Sequence, residues 1–132
     1  MATSIHRSLV TPLKQNRGGR LHVLLSPKSA GTSAGFLGTL ALDPGEVFLK
    51  HYHPYSEECF YVVKGEVTIE TDERTIIANE GTGVFIPKFE PHRLRNNGSE
   101  ETILVFFCSP LAPSPEQGHV MLEDEPVTSS SL

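Results

Sequence analysis

Along the middle of the chain, apolar residues come in short runs separated by turn formers. The runs are RLHVLLS (20–26), GFLGTLAL (35–42), EVFLKHYH (46–53), CFYVVKG (59–65), EVTIET (66–71), RTIIAN (74–79), GVFIP (83–87), HRLRNN (92–97) and TILVFFC (102–108). Val, Ile, Phe, Tyr and Thr dominate them, and Gly, Pro, Asp or Asn bound them, which is the composition of strands and turns. No competing stretch spaces its apolar residues with the 3.6-residue period of a helix. Strands recurring roughly every 8–12 residues predict an all-β sandwich or barrel.

The ends depart from this pattern. Residues 1–20, with TPLKQNRGGR, predict an N-terminal arm, and residues 109–132, with SPLAPSPEQG and an acidic, Ser-rich end, predict an extended C-terminal tail. The barrel is expected to occupy residues 21–108. A chain of 132 residues has room for one core but not for two domains of ordinary size.

Side chains alternate across a strand. In 46–53 this groups Val47, Leu49, His51 and His53 on one face, with Glu46, Phe48, Lys50 and Tyr52 on the other. After a turn at Pro54-Tyr55-Ser56, Glu58, Phe60 and Val62 share a face opposite Glu57, Cys59, Tyr61 and Val63. In 92–97, His92, Leu94 and Asn96 point one way while Arg93 and Arg95 turn to solvent. Three histidines and one carboxylate therefore continue apolar, inward-facing rows.

Burying such groups is unfavourable unless something compensates them. A divalent metal would do so, since imidazole nitrogens plus a carboxylate oxygen suit zinc, iron, nickel or manganese with a position left open to water or substrate. Taken singly, each histidine is equally well explained as a satisfied core or surface residue. The constellation is distinguished by two histidines fixed relative to each other by one strand and by a carboxylate directly after a tight turn. Val47, Leu49, Phe60, Val62, Leu94 and one face of TILVFFC would wall the same space with apolar surface.

Composition narrows the function classes. The chain is 38% hydrophobic and 20% charged, with a formal net charge of -5 and no Lys/Arg-rich run, so nucleic acid and anionic membrane surfaces are not expected partners. No segment approaches the roughly 20 apolar residues of a membrane span, and MATSIHRSLV lacks the apolar run of a signal peptide, so a cytoplasmic location is expected. Cys59 and Cys108 fall within strand runs and are expected as small buried thiols without a disulfide.

The spacings carry a family resemblance. Gly45, five residues, His51, one residue, His53, four residues, Glu58, six residues and Gly65 resemble the first motif of the cupins. Gly81, five residues, Pro87, then His92, three residues and Asn96 resemble the second. The resemblance, over roughly 36–108, implies a jelly-roll β-barrel in which His51, His53, Glu58 and His92 are metal ligands and Gly45, Gly65, Gly81 and Pro87 shape turns. Strand parity places the rival carboxylate, Glu57, on the opposite face. One departure stands out: the motif usually has Gly where this chain has Phe89, and because Gly commonly serves positions of positive φ, the conformation of this turn is left open.

Three phrases, RGGRLHVLLSPKSAGTSAGFLG, HYHPYSEE and SPLAPSPEQGHV, of which RGG, LLSP and SPLAP lie outside the metal motifs, look like the small single-domain cupins of aromatic polyketide gene clusters, the tetracenomycin, resistomycin and spore-pigment cyclases. That resemblance implies a metal-dependent cyclase, with zinc foremost and iron, nickel or manganese as alternatives. It would direct intramolecular aldol closure and aromatisation of a poly-β-ketone, with Glu58 as ligand or base. Alternatives are a cupin oxygenase acting on an aromatic or enolisable substrate and a non-catalytic accessory protein of a synthase complex. His22 and His119 have no place in the motifs and are expected at the surface or an interface. Cys59, Tyr61, Val63 and the two-sided apolar run ILVFFC call for a second covering surface, and a homodimer is expected. Substrate carried by an acidic acyl carrier protein would need a local positive patch, for which Lys88, Arg93 and Arg95 are candidates.

Overall fold

The central runs become strands because their β-branched and aromatic residues can bury one face against a facing sheet. A computed structural model of the protein describes residues 1–14 and 19–123. Its strands are β1 (Leu13–Lys14), β2 (Arg20–Leu25), β3 (Phe36–Leu42), β4 (Val47–Tyr52), β5 (Glu57–Lys64), β6 (Glu66–Thr71), β7 (Thr75–Asn79), β8 (Gly83–Ile86), β9 (His92–Arg95), β10 (Thr102–Ser109) and β11 (Val120–Met121). They form two antiparallel sheets, one ordered β1-β2-β3-β10-β5-β8 and the other β11-β4-β9-β6-β7. The one α-helical turn among the described residues, α1 (Pro27–Ala30), is closed by a reciprocal Ser26–Ser29 capping box. No described helix is long and apolar enough to cross a membrane.

The core lies between the sheets. Leu42, Val62, Val67, Ile69, Leu94 and Leu104 are almost fully buried there. β5 alternates strictly, with Glu58, Phe60 and Val62 buried and Glu57, Cys59, Tyr61 and Val63 exposed, as parity requires. Both cysteines are free thiols, but only Cys108 is buried; Cys59 lies on the outer face, so the expectation that both are buried holds for one.

β4 corrects the parity reading. Its register against β9 runs Val47↔Arg95 and Phe48↔Leu94, then shifts to His51↔His92, so β4 carries one extra residue between Phe48 and His51. That bulge flips the alternation. Phe48, expected outside, joins the core with Leu94, whereas Val47 and Leu49 do not share the inner face of the histidines.

Two turns fix the end of the barrel opposite His51, Glu58 and His92. Asn96, fully buried, donates from Nδ2 to Leu42 O at 2.8 Å and Glu100 O at 2.9 Å and accepts from Gly98 N–H at 2.9 Å, tying the β3–β4 and β9–β10 loops together. Gly65 turns β5 into β6 with φ of 78°, and a Cβ there would meet Glu101 O at 2.7 Å, so only glycine fits without a shift.

The segments outside 21–108 are partly woven into the sheets. β1 pairs with β2 and β11 with β4. Gly19 N–H donates to Glu46 Oε2 at 3.0 Å, and Arg20 bridges Asp43 at 3.1 Å and Glu101 at 2.7 Å. Residues 15–18 of the expected arm and the acidic, Ser-rich end at 124–132 lie outside the described residues.

Candidate metal centre

His51 on β4, His53 just after it, Glu58 on β5 and His92 on β9 converge, each offering a ligand atom within 4.8 Å of the others. The strand ends bring them together: β4 pairs with β9 at His51↔His92, and the Pro54-Tyr55-Ser56 turn returns the chain to place Glu58 opposite. His92 is fully buried, and His51 and Glu58 are nearly so.

Each imidazole is oriented by a backbone carbonyl. His51 Nδ1 lies 2.7 Å from Leu49 O, His53 Nδ1 3.0 Å from Gly118 O and His92 Nδ1 3.0 Å from Glu90 O. A carbonyl only accepts, so each Nδ1 carries a proton, and in the neutral ring each Nε2 is left with its lone pair. His53 Nε2 and His92 Nε2 both stand 3.3 Å from Glu58 Oε1. All three of these atoms are buried and none makes a well-formed hydrogen bond. Three lone pairs and one carboxylate oxygen around a common point, with the far nitrogens already anchored, match the donor set and outer support of a metal site.

Electrostatics agree. Burial, reinforced by the neighbouring His92, pushes His51 down to about 3, so its ring is neutral at physiological pH. Burial would raise Glu58, but His53 and His92 outweigh it and hold the carboxyl well below the usual range. Burial likewise opposes charge on His53, yet Glu58 raises its pKa. The second oxygen, Glu58 Oε2, accepts from the Cys108 thiol at 3.2 Å, and burial followed by the Glu58 charge keeps that thiol protonated.

The cluster sits in the wall of an apolar cavity of about 970 Å³. Phe36, Leu40, Phe48, Phe60, Leu94 and Phe106 line it, so of the expected wall Phe60, Leu94 and the inner face of TILVFFC are in place, while Val47, Leu49 and Val62 are not. The bulge removes Val47 and Leu49; Val62 is buried deeper in the core. Glu58 is the one carboxylate among the described lining residues, and Glu57 points outside.

Several contributors to the site carry no motif in the sequence. The C-terminal segment folds over the cavity and supplies Leu111, Pro113, Gly118, His119 and Met121 to its wall. His119 thus stands, exposed, at the rim of the cavity, while His22 pairs opposite Thr39 and does not line it. The only hint in the sequence was the Pro-rich composition of 109–119, which signals a fixed path without saying over what. On the outer face of β9 the arginines are ion-paired. Arg93 meets Glu123, and Glu70 at 3.6 Å, and Arg95 meets Glu70 at 3.1 Å, while Lys88 is exposed nearby in the chain.

Comparison with known proteins supplies the family. Residues 38–108 match the Cupin domain family. The chain is 46% identical over 109 residues to Polyketide synthase CurC of Streptomyces cyaneus, covering 83% of this chain and 71% of that protein. It is 37% identical over 125 residues to Tetracenomycin polyketide synthase protein TcmJ of Streptomyces glaucescens, covering 95% and 83%. Among solved structures, polyketide cyclase RemF of Streptomyces resistomycificus shares the fold with a TM-score of 0.76 at 18% identity, over 99% of this chain and 90% of that one.

Proposed function

The chain belongs to the cupin family, and from that membership and the geometry of its cluster we propose that it is a metal-dependent aromatic polyketide cyclase. The observation that carries the reading is the junction of His51, His53, Glu58 and His92 with an apolar cavity of about 970 Å³. A small polar substrate would leave most of that wall unmatched, whereas a long, weakly polar poly-β-ketone fills it.

His51, His53 and His92 through Nε2, with Glu58 through Oε1, would hold a divalent ion, for which zinc heads the candidates. Bound there, the ion supplies Lewis acidity toward a carbonyl oxygen of the substrate. The chain's own residues do the rest. The phenylalanine-rich wall excludes water and restricts a flexible chain to the fold in which one methylene lies near a chosen carbonyl, converting an unselective closure into an oriented one. The methylene between two carbonyls gives up a proton, its carbon bonds to the chosen, distant carbonyl carbon as that oxygen takes up a proton, and loss of the resulting hydroxyl with a neighbouring hydrogen as water completes the ring. Glu58, the only carboxylate on the described wall, is kept ionised by His53 and His92, the state that either a ligand or a proton acceptor needs. Cys108 holds its second oxygen in place.

The test joins metal content to product. Wild-type protein is expected to carry a divalent metal and to shift the product profile of an aromatic polyketide synthase toward one cyclised product without consuming oxygen. His51→Ala/His53→Ala should remain a folded all-β protein, lose its metal and return the synthase to mixed products. An unchanged profile in that variant would point to an accessory role, and stoichiometric oxygen uptake by the wild type to an oxygenase.

A further inference from the structure

The C-terminal segment Leu111–Glu123 meets a side chain of the cluster through Gly118 and is tied to β4 and β9 further along. Gly118 O takes the Nδ1 proton of His53 at 3.0 Å. Whereas Leu49 and Glu90 orient His51 and His92 from within two residues of the histidine itself, Gly118 is 65 residues away from His53. His53 is the one histidine of the three whose orientation depends on a distant piece of chain.

That piece is held to the edge strand. Val120 and Met121 pair with Tyr52 and His51. Leu122 N–H donates to Lys50 O at 3.0 Å, and Lys50 N–H donates to Glu123 Oε1 at 2.7 Å. Glu123 also accepts from Arg93 Nε at 2.9 Å and pairs with Arg93 Nη2. Both the backbone of β4 and a side chain of β9 therefore grip the end of the segment, on the face of the sheet away from the cavity.

We propose that Gly118 is a positioning residue of the centre and that the Arg93–Glu123 pair is its latch, so that closure of the C-terminal strap and metal binding are coupled. The inference rests on the reading of the cluster as a metal site. Without Gly118 O, the Nδ1 and Nε2 tautomers of His53 compete, and only one presents a lone pair to the centre. The same strap supplies Leu111, Pro113, His119 and Met121 to the cavity wall. A strap swung away opens the cavity and releases His53 in one motion, and a substrate that packs against the closed strap tightens metal binding by the factor by which the metal tightens substrate binding.

The experiment compares the full-length wild type, Glu123→Ala and, as a control on the same face, Glu70→Ala, which removes the other carboxylate of the β9 arginines without touching the strap. Metal-free protein with ¹⁵N-labelled histidine is examined first, then titrated with Co²⁺. In the wild type, His53 should show the Nδ1–H tautomer. Glu123→Ala should give mixed tautomers at His53 alone, proteolytic cleavage within 111–123 and Co²⁺ affinity weaker by about 10-fold, the low end of what lost outer support costs a metal site. Glu70→Ala should match the wild type in all three. Unchanged tautomer and affinity in a Glu123→Ala protein whose strap is cleaved would overturn the coupling and leave the strap as a cover only. A wild type with an ordered Nδ1–H His53 that binds no Co²⁺ would instead overturn the metal reading, and the coupling with it.

Discussion

Phe89 occupies the turn between β8 and β9 with φ of 70°, the only positive φ at a non-glycine among the described residues. The backbone thus adopts the conformation that the glycine of the usual motif would adopt, and the side chain bears the strain. A left-handed L-residue is disfavoured by about 1–2 kcal/mol, and Phe89 recovers little by burial, being 59% exposed with its ring 6.3 Å from that of Tyr52. The turn is tied to the centre, since Phe89 N–H donates to His53 O at 3.0 Å and Glu90 O orients His92. Phe89→Gly is therefore expected to stabilise the fold. Relief of strain less the added freedom of glycine in the unfolded chain leaves about 0.5–1 kcal/mol, readable as a higher urea midpoint at unchanged slope. A lower midpoint would mean that the contact with Tyr52 outweighs the strain.

Among the elements, β4 and the strap show what the sequence displays and what it hides. The histidine pair was legible because His51 and His53 follow the bulge, so their mutual spacing is undisturbed, and Glu58 was legible because β5 alternates without interruption. The wall was misassigned because residue types in VFLKHY do not announce an extra residue; the bulge exists only relative to β9. The strap was hidden for a related reason: its contribution to the centre is a backbone carbonyl, and its partner strand lies far back in the chain. Its latch has a pH signature. Hydrogen bonding from Arg93 chiefly, against an opposing effect of burial, lowers Glu123 from its ordinary 4.5 to about 2. A carboxyl depressed on folding stabilises the folded state above its unfolded value and loses that contribution as pH falls through the folded one. Wild type should exceed Glu123→Gln in urea midpoint above about pH 5, with the difference narrowing as pH falls toward about 2 and vanishing only below it. A difference that stays constant across this range would show that the charge of Glu123 does not hold the strap.

At the scale of the whole molecule, the two outer faces of the barrel are unlike. The face of the five-stranded sheet is crossed by ion pairs, Lys50 with Asp72 and the arginines of β9 with Glu70 and Glu123. The face of the six-stranded sheet carries a row in which Phe107, Cys59 and Phe85 are register partners on β10, β5 and β8, with Tyr61 and Val63 beside them. Tyr61 and Phe85 are each more than half exposed, at 52% and 54%. A contiguous apolar patch on a regular sheet is unfavourable in water and invites a flat, self-complementary partner, and a second copy of the same face meets both conditions about a two-fold axis. The cluster and cavity open between the sheets, so such a dimer would leave the centre accessible. Sedimentation at micromolar concentration is expected to give a dimer. Tyr61→Glu/Phe85→Glu should convert it to a monomer, because two like charges would be buried without partners. Metal content and far-UV spectrum should stay unchanged, since neither side chain points toward the centre. A wild-type monomer under these conditions would mean that the apolar face is covered by another partner or tolerated in water.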